Sequence, residues 1–488
     1  MPVESQHEEY ADNLSNWQVT RDCDKGSKAI KSRSKGSGSS TGTLNGLSGT
    51  AYLPAPNAED SSSKNEQRYY AYRDRANFVN FVSSTKEGFT GLIFRRKTEI
   101  EAPAATQYLI DNINGDGLTT DQMIKEVTNN TLLVGRHGLL TEYPTAESGL
   151  TEAQVTAQNL RANIVSYPAE SIINWRSETT DGITKLSMVV LREPREVTTD
   201  GFKYDKKIYH RVLRLVDGVY IQNVYDDSGR LVTWSTGEGD GVTGDIIPKK
   251  SNGDTWDNIP FTFIGSVNND ACVDKAPLYD IAEINIGHYH NSADYEESCF
   301  MVGQPTPVIT GLTASWVKDV LDGKIGLGSR GAIMLPVGGA ADLMQAAPNQ
   351  MPLEGMNKKE AQLLQIGARL IQDTNGNERT DAVKGRLAGQ GSKLASIILN
   401  VESAFIQCFG WAGEFMGVDN GEIIVKINKE FYDETLDPQM VMSQIALMDR
   451  GVIAKTDLRS NLRSGGLVDP DRTDDDIDGE AEETTPLI

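Results

Sequence analysis

Apolar positions along this chain change their spacing several times, and each change predicts a new kind of element. Between residues 66 and 143 they recur at mixed three- and four-residue intervals, as at Tyr70, Ala71, Phe78, Phe81 and Val82, which predicts helix. Thr119 with Gln122 reads as a capping box that opens a helix through Met123, Val127 and Leu133. From 163 to 265 the pattern becomes β-rich. The short runs are Ile172–Trp175, Lys185–Leu191, Ile208–Val216, Val219–Tyr225 and Leu231–Trp234. Asp217-Gly218 and Asp226-Asp227-Ser228-Gly229 read as turns between them, predicting a sequential meander of four or five strands.

Helical spacing returns at 277–300. A Pro- and Gly-rich stretch, Gly303 to Pro352, follows with short strands at Pro307-Val308-Ile309 and Ala332–Val337. A second helix is expected over 354–372. Met356, Leu363, Leu364, Gly367 and Ile371 line one face, and Lys358, Gln362, Gln365, Arg369 and Gln372 form a polar stripe on the other. The longest helix is expected from about Ser392 to Met416, where Leu394, Ile398, Val401, Phe405, Cys408, Ala412 and Phe415 keep helical spacing. Cys408 therefore reads as a core residue. A strand at Glu422–Ile427 and helices near Pro438–Arg450 and Lys455–Arg463 complete the pattern, with Gly451 between the helices. Helices and a meander in separate runs make this an α+β chain.

At 488 residues and 38 % hydrophobic content, the chain is long enough for about three domains with a sizeable core. Its formal charge of −22 excludes a basic protein that coats DNA by neutralising phosphates. The exception is a basic run, Arg21, Lys25, Lys28, Lys31, Arg33 and Lys35, leading into a Gly/Ser/Thr-rich stretch from Gly36 to Gly49. This segment reads either as a flexible arm or as a binding segment. The acidic tail from Asp469 to Glu483 is expected to be mobile or solvated. Cys23, Cys272, Cys299 and Cys408 are too few and too scattered for a disulfide framework, and none forms a CxxC pair. The opening Met1-Pro2-Val3-Glu4 predicts no secretory leader. The most apolar long stretch, Leu394 to Val418, contains Glu402 and Glu414, so no membrane helix is expected.

Motifs that carry catalysis fail on context. Gly326-Leu327-Gly328-Ser329-Arg330-Gly331 matches a dinucleotide fingerprint, but a strand-like run stopped by Pro336 follows instead of a helix. Gly38-Ser39-Ser40-Thr41-Gly42 has no strand before it and no helix after it. No phosphate-cradling GxxxxGK[ST] run occurs. Asn112 to Gly117 resembles a calcium loop, but it has Asn at position one and Met123 at position twelve, so it reads as a turn before a helix. His288 and His290 project to nearly opposite sides of a helix and cannot share a metal. They read as packing or hydrogen-bonding residues. No catalytic residue, cofactor site or metal site is assigned, and the chain reads as a non-enzyme.

The order of several segments resembles the portal proteins, or head–tail connectors, of tailed double-stranded-DNA bacteriophages. At the start these are Glu9-Tyr10, Trp17 to Asp22, Tyr52-Leu53-Pro54 and Arg73-Asp74-Arg75-Ala76-Asn77-Phe78. Gly91 to Arg96, Gly135 to Leu140 and Tyr167-Pro168-Ala169-Glu170 continue it. It is strongest at Leu278-Tyr279-Asp280-Ile281-Ala282-Glu283 leading into His288 to Asp294, and returns at Leu394 to Ile397 and Asn400-Val401-Glu402. The Ser/Gly-rich insert between Lys31 and Thr50 departs from the family.

The resemblance implies a portal fold with wing, stem, clip and crown, assembled as a ring. An N-terminal arm (1–65) would precede a wing (66–276). A first stem helix (277–301), a clip (302–353) and a second stem helix (354–372) would follow. Residues 373–431 would hold the tunnel loop (373–391), the long helix and a return strand. Crown helices (432–468) and an acidic tail (469–488) would close the chain. The implied role is a dodecameric channel at one capsid vertex for DNA packaging and ejection. Its partners would be the major capsid protein, the large terminase subunit, a tail adaptor or head-completion protein, and the double-stranded DNA passing through. As a binding segment, the basic run would serve a neighbouring subunit, the capsid or tail proteins. The implied location is the virion, after assembly in the host cytoplasm. Arg379, Lys384, Arg386 and Lys393 in and beside the loop, with Lys358 and Arg369 on the stem stripe, are the candidates to touch DNA. Ordinary solvated charges or ion pairs between subunits are the plainer account of any one of them. A ring-forming neck or tail adaptor and a metal-dependent nucleic-acid enzyme are the alternative roles. Length argues against the first, and the lack of a compact acidic cluster against the second.

Overall fold

The computed structural model describes residues 3–35, 44–143, 161–180, 182–198, 201–232, 244–303, 306–321, 334–344, 349–366, 381–417, 421–429, 431, 438–464, 467–468 and 472–484. In chain order, α1 (Glu8–Lys25), α2 (Ser27–Ser32), α3 (Ser63–Arg75) and α4 (Phe81–Ile93) precede a short strand β1 (Glu99–Glu101). Then come α5 (Tyr108–Asp111), α6 (Thr120–Val134), β2 (Arg136–Glu142), β3 (Asn163–Pro168), β4 (Ile172–Thr180), β5 (Ile183–Thr198), β6 (Tyr204–Val216), β7 (Val219–Asp226) and β8 (Phe261–Gly265). The second half has α7 (Tyr279–Val302), β9 (Thr306–Thr310), α8 (Ala314–Asp319), β10 (Ala340–Met344) and α9 (Met351–Ile366). It ends with α10 (Asp381–Met416), β11 (Ile424–Lys426), α11 (Pro438–Asp449), α12 (Lys455–Ser464) and α13 (Asp474–Thr484). Helix and strand are mixed as an α+β chain requires. Two compact units form: Met1–Tyr10, Gly88–Asp274 and Gly376–Ile488 make the first, and Ala11–Glu87 and Lys275–Asn375 the second.

The first unit is built on α10. Its apolar stripe, including Leu394, Ile398, Val401, Phe405, Cys408, Ala412 and Phe415, is buried as its spacing predicts. It packs on the antiparallel sheet β3-β2-β8 and on α6. Residues Lys393–Met416 are long and apolar enough to cross a membrane, but their apolar side chains fill this core. Glu402 is buried there and accepts from the Ile427 amide at 2.7 Å, with Lys429 Nζ 2.7 Å from its other oxygen. α6 opens with the expected capping box between Thr119 and Gln122 and ends at Gly135, whose φ of 74° is left-handed.

Arg136–Glu142, expected within a helical region, is instead the central strand β2. Gly135 stops the helix, and the run after it is buried almost throughout, so it has no helical period to keep. A β-carbon at Gly138 would lie 2.4 Å from the Phe261 ring, so only glycine lets β2 and β8 close. A separate four-stranded sheet follows the meander order β4-β5-β6-β7. Asp217 and Gly218, with φ of 49° and 77°, make its last hairpin turn. A buried ion network ties the two sheets. Arg211 reaches Glu142 at 2.5 Å and Glu193 at 2.8 Å, Tyr167 donates to Glu193 at 2.7 Å, and Arg195 also pairs with Glu193. Burial works to raise the Glu193 pKa, but Arg211 and Arg195 hold it below the usual carboxylate value.

Three further expectations are corrected and a fourth, for the acidic tail, is refined. The basic run is not a loose arm up to Lys35: it completes α1 and forms α2. Asp22, fully buried, accepts from Arg33 at 2.5 and 2.8 Å and from the Tyr52 hydroxyl at 2.8 Å. Buried Cys23 and Ile30 supply the apolar anchor the composition hides; residues 36–43 of the insert lie outside the described ones. Residues 381–391, expected in a loop, are the first turns of α10. Asp381 and the helix formers Ala382, Lys384, Arg386 and Leu387 outweigh the glycines among them. The strand that pairs with β9 is Ala340–Met344, and residues 334–337, the described part of the expected strand at Ala332–Val337, run outside any strand into a turn at Gly338 (φ 87°). The acidic tail, expected mobile or solvated, contains the exposed helix α13. Asp474, Asp475 and Asp476 lie in its first turn, and Arg459–Asp478 and Arg463–Asp474 pairs join it to α12.

Candidate functional site: the α7–α9 helix pair

In the second unit, the 24-residue α7 and the 16-residue α9 pack on each other and are linked through an exposed hairpin. α7 begins beside a Lys275–Asp280 ion pair of 2.8 Å and stops at Gly303. Its buried positions, Ile281, Asn285, His288 and Ser292 with Ala282, Tyr289 and Ala293, form one helical stripe. Much of that stripe is polar because it satisfies the backbone entering α4. Asn285, fully buried, donates to the Val79 carbonyl at 2.8 Å and accepts from the Phe81 amide at 3.1 Å. Ser292 accepts from the Asn77 amide at 2.9 Å. Tyr72 donates to Asp294 at 2.7 Å.

Both histidines serve the fold as expected. His290 Nε2 meets the Tyr52 carbonyl. His288, 1 % exposed, puts Nε2 3.1 Å from Glu360 of α9, with its ring edge-on to Phe81. The helices meet tightly at Gly355, where a β-carbon would lie 2.1 Å from Asn291 Nδ2. Among the described residues, no group of three His, Cys, Asp or Glu side chains is placed to hold a metal ion.

Burial ends abruptly along the pair. Leu363 is the one buried side chain recorded on α9. Phe300 and Met301 at the end of α7 are 60 % and 62 % exposed, and Met351 at the start of α9 is 77 % exposed. In the β9–β10 hairpin, paired from Ala340↔Thr310 to Met344↔Thr306, only Ile309 is partly covered. Two strands alone are marginal in water.

A family profile described as a domain of unknown function (DUF4055) matches residues 277–416. That span opens two residues before α7 and closes on the last residue of α10. Among curated proteins none matches. Two solved structures show likeness. One is described as "Virion of native gene transfer agent (GTA) particle", with 16 % identity over 79 % of this chain and 90 % of that one, at a TM-score of 0.41. The other is described as "Neck of empty GTA particle computed with C6 symmetry", with 15 % identity over the same shares and a TM-score of 0.39. TM-scores below 0.5 are too low to establish a shared fold.

The matched span contains all six candidate cations. Lys358 is exposed on α9 beside exposed Gln362 and Gln365, so the described part of the polar stripe faces solvent as expected. Arg369 and Arg379 lie outside the described residues. Lys384, Arg386 and Lys393 follow one another along α10, and Lys393 is exposed. Arg386 and Lys393 are two helical turns apart on one side of the helix axis, with the Lys384 backbone position nearly opposite. The structure thus separates the set: Lys358 belongs to the second unit and the α10 cations to the first. The two helices of the pair also differ in charge. α7 carries Asp280, Glu283, Asp294, Glu296 and Glu297 with no lysine or arginine, whereas α9 has Lys358 and Lys359 against Glu354 and Glu360. The sequence did not mark the apolar surface left bare at the end of the pair, because its residues are scattered singly through a Gly/Pro-rich stretch.

Two of the four thiols are core groups. Cys23 and Cys408 are buried, and burial pushes both up to about 12. Cys272 and Cys299 are exposed. Near Cys272, Arg136 is stacked 4.2 Å from both the Trp175 and Phe263 rings and donates to the Ala271 and Cys272 carbonyls. Burial lowers its pKa to about 10. A cleft of about 560 Å³ beside it is lined by His7, Glu9, Trp175, Arg176 and Cys272, among others.

Proposed function

We propose that this chain is a portal subunit of a phage-like particle, a structural protein that forms a ring around a DNA channel at one capsid vertex. The observation that carries the reading is the α7–α9 pair. It is anchored at one end by buried polar contacts and left bare at the other, with a hairpin too exposed to stand alone. Neighbouring copies in a ring would cover Phe300, Met301, Leu343, Met344 and Met351, and a heterologous contact repeated around an axis closes such a ring. The order of sequence segments adds to this, and the pair lies where the resemblance puts the stem and clip.

Charge fits a channel through which DNA slides. Twelve copies would carry 12 × −22, or −264, formal charges, which repel phosphate on average. A few lysines and arginines at the channel would then make weak, salt-sensitive contacts. The force for packaging would come from a separate terminase, and the bare hairpin would dock that motor first and a tail adaptor afterwards.

Native mass spectrometry and negative-stain imaging of the full chain test the reading. A closed ring of about twelve copies with a central hole is expected; a chain that stays monomeric at micromolar concentration overturns it. The channel role of one pair has its own test. Lys384→Glu with Arg386→Glu is expected to lower packaging and DNA retention while rings still form. Unchanged packaging removes that pair from the channel.

A further inference from the structure

Strands β5 and β6 are much longer than their neighbours in the four-stranded sheet. β4 pairs with β5 only as far as Ile172↔Leu191, and β7 pairs with β6 only from Tyr209↔Asp226 onward. Beyond both limits β5 and β6 pair with each other alone, from Pro194↔Ile208 to Thr198↔Tyr204. Five residues of strand make an arm about 17 Å long. Both of its outer edges lack a strand partner among the described residues, and a two-stranded ribbon gains little stability by itself.

The two faces of the arm differ. Facing pairs in an antiparallel ladder point to one side, so Glu193/Tyr209, Arg195/Lys207 and Val197/Asp205 share a face. That face is internally satisfied near its base: Arg195 pairs with Glu193 and stacks 5.6 Å over the Tyr209 ring. The other face carries Pro194/Ile208, Glu196/Lys206 and Thr198/Tyr204. Tyr204 is 57 % exposed, and Phe202 in the connecting turn is 97 % exposed. Lys206 and Lys207 are exposed and make no ion pair among the described residues. Over the paired segments 194–198 and 204–208, Arg195, Lys206 and Lys207 stand against Glu196 and Asp205, a formal +1 in a chain whose formal charge is −22.

We propose that the paired segments 194–198 and 204–208 form a docking arm that seats its Pro194–Ile208–Tyr204 face on the acidic surface of a second copy of this chain. Charge complementarity selects that occupant, because like-charged copies repel except where this basic tip meets the rest of the surface. Lysines on the arm's strands oppose edge-to-edge strand pairing, so the contact is made by side chains and not by continuing the sheet. Five residue pairs are far fewer than the roughly 20–30 residues a side of a stable interface. The arm therefore straps together copies already held by other contacts, and in this respect it rests on the ring reading above.

The test places the photo-crosslinker benzoylphenylalanine at position 204 of the full chain and reads the oligomer by native mass spectrometry. It then maps the crosslinked peptides. Crosslinks to acidic segments of another copy are expected, resolved from crosslinks within a chain by mixing light and heavy isotope-labelled protein. Lys206→Glu with Lys207→Glu is expected to abolish them and to raise the concentration for half-assembly roughly tenfold. Rings that form normally in both variants, with crosslinks only within one chain or none, overturn the arm and leave the ring reading standing. A chain that never assembles overturns both. Crosslinking to added duplex DNA in preference to a second copy also overturns the proposal and makes the arm a nucleic-acid contact.

Discussion

Two helices of similar sequence character end in opposite circumstances. α10 buries its whole apolar stripe against sheet and helix within the first unit, down to a paired Glu402. α9, amphipathic by the same spacing, buries only Leu363, and the hairpin that leads to it is bare. Helical stability in proteins comes mainly from packing an apolar face, so α10 is complete within one chain and α9 is not. The contrast separates a helix covered within its own unit from one left largely in solvent.

The most severe way to sharpen that contrast is to break the self-sufficient side. Arg211→Leu leaves Glu142 without its cation and Glu193 with Arg195 alone in a buried network, and a loss of about 3 kcal/mol is expected. Urea unfolding followed by tryptophan fluorescence measures it. In the wild type, Glu193 has a depressed pKa, so its contribution is present at neutral pH and is lost as pH falls through the folded-state value. Acid titration should therefore destabilise the wild type more steeply than Arg211→Leu; parallel curves would remove Glu193 from the account.

An intermediate effect is expected at the anchored end of the helix pair. Asn285→Ala strips the partners from the Val79 carbonyl and the Phe81 amide, costing about 1–3 kcal/mol. Hydrogen exchange should show the loosening at residues 77–81. The smallest effect on the isolated chain belongs to the bare end. Leu343→Ser with Met344→Ser should change stability by no more than about 0.5 kcal/mol, since both side chains are already in water. The same change should weaken assembly. A loss of monomer stability as large as that of Asn285→Ala would mean the hairpin has a partner within its own chain, and the contrast would collapse.

The sequence made the self-contained elements legible because their signals are local. The Thr119–Gln122 box, the Asp217-Gly218 turn and the α10 stripe each lie within a few turns of chain, and each forms as expected. Failures came where distant residues decide. Nothing near Asp22 announces that Arg33 and Tyr52 converge on it, so α1 and α2 read as a loose arm. β2 is buried almost throughout, and a run without period cannot reveal whether helix or strand covers it. At the candidate site, the spacing of α7 and α9 and the outward polar stripe were readable. The bare apolar end was not, because exposure depends on what fails to pack there. The β5–β6 arm escaped for the same reason: its strands carry ordinary β-rich composition, and only the register shows that their neighbours stop short.

The distribution of thiols gives the wild-type chain a property that usually has to be engineered. Cys272 and Cys299 are accessible, one in each compact unit, while Cys23 and Cys408 are enclosed and hold their protons tightly. A maleimide dye should react at two places only, so donor and acceptor fluorophores can be attached without removing a single native cysteine. The natural protein would thus report, by energy transfer, any change in the spacing of its two halves as it goes from free chain to assembled particle.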